Sequence, residues 1–215
     1  MISSRPRRSQ TLPPVLRSPF VVRAVEIDSN LTKEENIKSN WVFSLCGNPT
    51  DNLFHSINGQ RGERYMFESL YPGEYLFSGT IDCFVEVFNY DERARNLDTP
   101  ACFFFKTVVL YITWKTRGNS NDCEIFLMRH METYKGGPLA QWTCGFKMES
   151  AEQNYQLRML RRRYCMKILL SEVNIMKHEV EQLIDDYQKL SPNDRRVMYH
   201  EGIINIGARL AAFGP

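Results

Sequence analysis

The sequence has no apolar run near the roughly 20 residues that a membrane-spanning helix needs. Its most apolar stretch, Phe103 to Ile112, is interrupted by Lys106 and Thr107. Nor does it have a C-x-x-C pair. The six cysteines (Cys46, Cys83, Cys102, Cys123, Cys144 and Cys165) are dispersed, which argues against a zinc finger or ribbon. The last four recur at even spacing, but their flanks differ, so no internal repeat is read from them. Charge of one sign is also lacking. With 27 basic and 25 acidic residues the net charge is +2, and nothing in that balance calls for nucleic acid or an acidic substrate. No apolar segment of secretory type follows the basic start, so free thiols in a reducing compartment, nucleus or cytoplasm, are expected. No cofactor or metal is expected, and no membrane partner.

What is present suits a globular chain. At 215 residues, 43% hydrophobic and 24% charged, there is room for one ordinary domain with extensions. Residues 1–19 are rich in Arg, Ser and Pro and read as a disordered basic tail, a weak nuclear address or nothing. Residues 20–64 read as an N-terminal extension, 65–190 as the main domain and 191–215 as a C-terminal tail with room for one short helix.

Within these segments, Phe20 to Val25 is β-prone. Thr32 and Glu35 have the spacing of a helix capping box, and Trp41 to Leu45 continues an apolar face. Cys46 to Arg64, dense in Gly, Asn and Asp, reads as loop, and Tyr71-Pro72-Gly73 as a turn. Ile81, Phe84, Val85 and Phe88 have helical spacing. Phe103 to Trp114 is strongly β-prone, yet long for one strand and without clean alternation. Cys123 to Tyr134 reads as a helix ended by Gly136-Gly137-Pro138. Ser150 and Gln153 form a second capping box before one long helix that runs to Ser191-Pro192. Arg161-Arg162-Arg163 lies in that helix. Such a triplet can touch phosphate but is expected to be a solvated face.

The chemically suggestive place is Asn121-Asp122-Cys123. A cysteine in the first turn of a helix feels the positive end of the helix dipole, which favours the nucleophilic thiolate. Asn119, Ser120 and Asp122 are available to cap the free N–H groups there.

The longer string from Asn119 to Tyr134 (NSNDCEIFLMRHMETY) resembles the catalytic-cysteine helix of the ubiquitin-like (SUMO) protease family. It is most similar to the plant C-terminal catalytic domains associated with mobile elements. Ser78 to Asn89, Trp142 to Gly145, Leu160 to Tyr164 and Lys167 to Ser171 are similar to further parts of those domains. The resemblance implies an α+β, papain-like cysteine protease fold of the adenain/SUMO-protease type, incomplete here, with a long C-terminal helix. It implies a cysteine-type peptidase that cuts ubiquitin-like modifiers after a C-terminal Gly-Gly. It also implies a SUMO-type modifier or its conjugates as partner, with Cys123 as nucleophile.

Three departures bear on activity. The family orders its triad His, Asp, Cys, but no histidine lies between His55 and Cys123 in the interval the family uses, and no aspartate follows one there. His130 is seven residues along the cysteine's own helix, about 10.5 Å in rise, too far for a base. His178 and His200 come after the cysteine. Arg117 stands at the position of the family's oxyanion Gln, and Glu124 at that of the Gly after the cysteine, where a carboxylate opposes thiol ionisation. The over-long apolar stretch then reads as two family segments joined by a deletion near residues 107–116. The expectation is a cysteine peptidase by descent that is catalytically impaired. The alternatives are a non-catalytic modifier-binding module or a truncated product without a stable fold.

Overall fold

The computed structural model describes residues 27, 30–94, 119, 121–134 and 143–214. Outside them lie the basic stretch 1–19, the segment 20–25 expected to be β, the stretch 103–114 and the deletion expected near 107–116, Arg117, Ser120 and the expected Gly136-Gly137-Pro138 stop. Eight helices, the short α2 (Arg64–Glu68) among them, and one two-stranded hairpin make a mixed fold of α+β type among the described residues.

α5 (Ala151–Leu169) is the element around which the rest is packed, touching α1 (Lys33–Phe43), α3 (Ser78–Ala94), α4 (Cys123–Thr133) and β1 (Asn52–His55). It buries Leu157, Leu160, Tyr164, Cys165, Ile168 and Leu169. Such wide burial follows from a helix with neighbours on several sides. α3 buries Phe84 and Phe88, as their spacing predicts, and meets α5 through the Phe84 ring, which sits edge-on to Tyr164 at 4.9 Å. α1 begins at the predicted box. Thr32 Oγ1 accepts from Glu35 N at 3.1 Å, and Thr32 N donates to Glu35 Oε2 at 2.7 Å. The far end of α1 plugs Trp41, Val42 and Phe43 into the same core. At the start of α5, Ser150 Oγ accepts from Gln153 N, but the Gln153 amide donates to Lys147 O. Only half of the second box is used for capping.

Three expectations need correction. The loop assigned to Cys46–Arg64 contains an antiparallel hairpin, β1 with β2 (Arg61–Glu63), and His55 therefore ends a strand. Glycine and asparagine mark the turn correctly, while Leu53 and Phe54, both buried, supply the short apolar strand between the turn signals.

The single long helix expected after Ser150 is two, α5 and α6 (Lys177–Lys189). The break is held by buried Asn174. Its Oδ1 accepts from His55 N at 2.9 Å and Met176 N at 3.1 Å, and its Nδ2 donates to Leu53 O at 3.0 Å and Leu169 O at 2.8 Å. One amide thus satisfies backbone groups at the end of α5 and on β1. The apolar period runs on through Val173, which is why periodicity alone does not show the break.

Thirdly, the C-terminal tail holds α7 (Pro192–Ile204) and α8 (Ile206–Ala211), not one short helix. Ser191 caps α7 by accepting from Asp194 N, with Pro192 in the first turn. α7 crosses the end of α1 so closely that a Cβ on Gly202 would lie 2.1 Å from the Phe43 carbonyl oxygen. Leu45 N donates to Met198 O in the same contact.

Candidate functional site

The α4 N-terminus is assembled by a buried arginine. Arg161, 1% exposed, lies on the core face of α5 beside Leu157, Leu160 and Tyr164. Its Nε donates to Asp122 Oδ1 at 2.6 Å. Nη1 donates to Ser69 O and Tyr71 O, and Nη2 to Glu74 O and Asn121 O. All five N–H groups of the guanidinium therefore have acceptors, the condition for burying such a charge without a large penalty. Tyr71-Pro72-Gly73-Glu74 is a turn, as predicted, closed by Glu74 N to Tyr71 O, with Gly73 at φ 97° where a side chain is disfavoured. Asn121 Nδ2 adds a bond to Gly73 O. The turn and the segment before α4 are thus fastened to one another through α5.

This arrangement redirects the predicted caps. Asp122 is the N-cap residue but makes no side-chain capping bond, because its carboxylate faces Arg161. Asn119 does the local work. Its Oδ1 accepts from Asn121 N and Asp122 N, and its Nδ2 donates to Asp122 Oδ2.

Cys123 is the first residue of α4 and half-buried. Its thiol donates to Glu124 Oε2 at 2.9 Å. Burial, then the Glu124 hydrogen bond and charge, push the thiol up to about 11. The backbone amides of Cys123 and Glu124 pull the other way and do not prevail. The expected helix-end activation is present but outweighed. At pH 7 only about one thiol in ten thousand is ionised.

No histidine is among the groups that act on this thiol. His130 is buried in α4 with Nδ1 on the Phe126 carbonyl. A carbonyl only accepts, so Nδ1 carries the proton. Burial holds the imidazole below its ordinary pKa, against the opposing pull of that carbonyl. His55 ends β1, with its backbone N–H on Asn174. His178 and His200 are exposed on α6 and α7.

The Arg161–Arg163 triplet is not the solvated face expected of it. Arg162 donates to Asn36 Oδ1, Ser39 Oγ and Asn40 Oδ1 on α1 and to Tyr199 OH on α7. Arg163 donates to Asn30 O and lies 3.7 Å from Glu35. Successive helical residues turn by about 100°, so three together cannot all face water on a helix packed on several sides. Sequence reasoning missed Arg161 as the organiser of the site. The signal was its position four residues after Leu157 and three before Tyr164, inside the apolar stripe.

Among the described residues no group of three or more His, Cys, Asp or Glu is placed to hold a metal ion, and no helix is long and apolar enough to cross a membrane. The five described cysteines are free thiols. No family model, curated protein or solved structure matches the chain.

Proposed function

We propose that this chain is a catalytically silent cysteine peptidase of the ubiquitin-like (SUMO) protease type, built on an incomplete papain-like plan. The observation that carries the reading is the Cys123 thiol, hydrogen-bonded to Glu124 and held protonated at the head of α4. Peptide hydrolysis needs a thiolate to attack and a proton for the leaving amine, and acid–base help of that kind is worth roughly 10²–10⁴-fold. Neither the thiolate nor a positioned imidazole is supplied at Cys123 by the described residues.

The second reading is a binding module that retains a ubiquitin-like modifier without cutting it. In its favour, Arg161 keeps the 69–74 turn and the α4 start fixed although the thiol is inert. A rigid surface is what binding without chemistry requires.

One set of experiments tests both. The chain is incubated with a SUMO precursor, an isopeptide-linked SUMO conjugate and a SUMO carrying a C-terminal vinyl sulfone. The expected result is no cleavage and no covalent adduct. Cleavage or labelling that disappears in Cys123→Ala would overturn the silent-enzyme reading. Retention of the chain on immobilised SUMO, competed by free SUMO, supports the binding module, and its absence removes it.

A further inference from the structure

A cleft of about 220 Å³ lies between α1, α6 and α7. It is smaller than the drug-sized sites of about 300–1,000 Å³, so it suits a single ring with a small substituent. Its apolar wall is Ile37, Pro192 and the rings of Tyr187 and Tyr199. The two hydroxyls are already used. Tyr187 OH accepts from Ser44 Oγ at 3.0 Å and donates to Arg195 O at 3.2 Å, and Tyr199 OH accepts from Arg162 Nη2 at 2.9 Å. The tyrosines therefore offer the cleft their rings.

The polar wall is Asn40, Arg195 and Arg196, and no carboxylate of the described residues lines the cleft. Arg195 Nη1 donates to Gln188 O at 2.6 Å and Arg196 Nη2 to Asn193 Oδ1 at 3.3 Å. Both acceptors are neutral, and each takes one of the five N–H groups of its guanidinium. Among the described residues neither arginine is ion-paired. Asp194, between them and Pro192 in sequence, is turned to the α7 cap, where it accepts from Ser191 Oγ at 2.7 Å. Arg195 is half-exposed and Arg196 exposed. Burial pushes the Tyr187 phenol up, and the Ser44 hydrogen bond and the Arg195 charge oppose it, so that charge reaches the cleft wall. Asn40 adds a neutral donor. Its Oδ1 accepts from Arg162 Nη1 at 2.6 Å, which fixes the amide and leaves Nδ2 over. Two cations with spare donors, beside an apolar wall and with no acid to cancel them, favour an anion with an apolar body. The planar guanidinium matches a carboxylate, and tyrosine rings match an aromatic one.

We propose that this cleft binds a small aromatic carboxylate, its charged group meeting Arg195 and Arg196 and its ring lying against Ile37, Tyr187 and Tyr199. The site shares no residue with the surroundings of Cys123 and does not rest on the peptidase reading.

The test titrates the ¹⁵N-labelled full chain with four probes: benzoate, acetate, benzyl alcohol and benzylamine. Benzoate is expected to give saturable shifts at backbone amides of residues 37–40, 187–188 and 193–199, weakened severalfold by 0.3 M salt. Acetate lacks the ring, benzyl alcohol lacks the charge and benzylamine carries the opposite one, so each is expected to bind at least tenfold more weakly. Arg195→Gln is expected to weaken benzoate binding about tenfold, the usual worth of a charged hydrogen bond. Because Arg195 also holds the end of α6 through Gln188 O, the exposed Arg196→Gln serves as a second variant, with a loss of severalfold expected. The proposal is overturned if benzoate gives no saturable shifts in this region, if benzyl alcohol or benzylamine binds as tightly, or if both variants, folded by circular dichroism, bind benzoate as the wild type does.

Discussion

Replacing Glu124 by Gln tests the physical core of the silent-enzyme reading. The variant keeps a hydrogen-bond acceptor near the thiol and removes only the charge. The Cys123 sulfur is 2.9 Å from Glu124 Oε2 and only half-buried, so the interaction belongs at the water-like end of the dielectric range. There the Coulomb term at that distance is about 1.4 kcal/mol, or about one pKa unit. Burial, the first cause of the shift, is left in place. The thiol is therefore expected to fall from about 11 to about 10. At pH 7.5 the thiolate population rises about tenfold. A less basic thiolate is also a weaker nucleophile, with a Brønsted slope of about 0.4–0.5, so the alkylation rate gains only about threefold. The assay is iodoacetamide labelling between pH 7 and pH 11.5, with the Cys123 peptide quantified by mass spectrometry to separate it from the other thiols. A wild-type profile with its midpoint near 8.5, or a Gln variant with an unmoved midpoint, would refute the carboxylate lock. No modifier cleavage is expected from the variant, because no base is restored.

Three further outcomes are expected. Arg161→Met, which leaves Asp122 and four carbonyl oxygens without their donor, is expected to cost about 3–5 kcal/mol in urea unfolding. Gly202→Ala forces a methyl against the Phe43 and Ser44 backbone and is expected to lose about 1–3 kcal/mol, read as a lower Tm. His130 is held below its ordinary pKa, so the unfolded chain takes up a proton that the folded chain resists. Stability is therefore full above the ordinary histidine range and falls as pH drops below about 6.5. The urea midpoint of the wild type should decline between pH 7.5 and pH 5.5, and that decline should shrink in His130→Gln.

The parts of the fold written in local chemistry were legible. The Thr32–Glu35 box, the Pro72-Gly73 turn and the Cys123 helix each depend on residues a few positions apart, and each is found where the pattern places it. What was not legible depends on distant partners. The break between α5 and α6 is made by Asn174 reaching Leu53 and His55, more than a hundred positions away. The role of Arg161 depends on carbonyls of the 69–74 turn and on Asp122. The Arg triplet misled because a charge run is usually read on its own, whereas this one is bonded to α1, to α7 and to the segment that leads into α4. At Cys123 the sequence showed both opposing influences, the helix end and Glu124. Only the 2.9 Å contact and the burial decide between them.

The crossing of α7 over the end of α1 also bears on synthesis. Phe43, Ser44 and Leu45 meet Met198 and Gly202 across a gap of about 150 residues. At translation speeds of about 5–20 residues per second, the end of α1 waits roughly 8–30 s for that partner to be made. Through that interval Trp41 and Phe43 emerge before both α5 and α7. A nascent chain stalled ahead of α7 therefore lacks the backbone partner of Leu45 and the helix that packs on Phe43, so the native cover of the end of α1 is complete only once the C-terminal helices have been made.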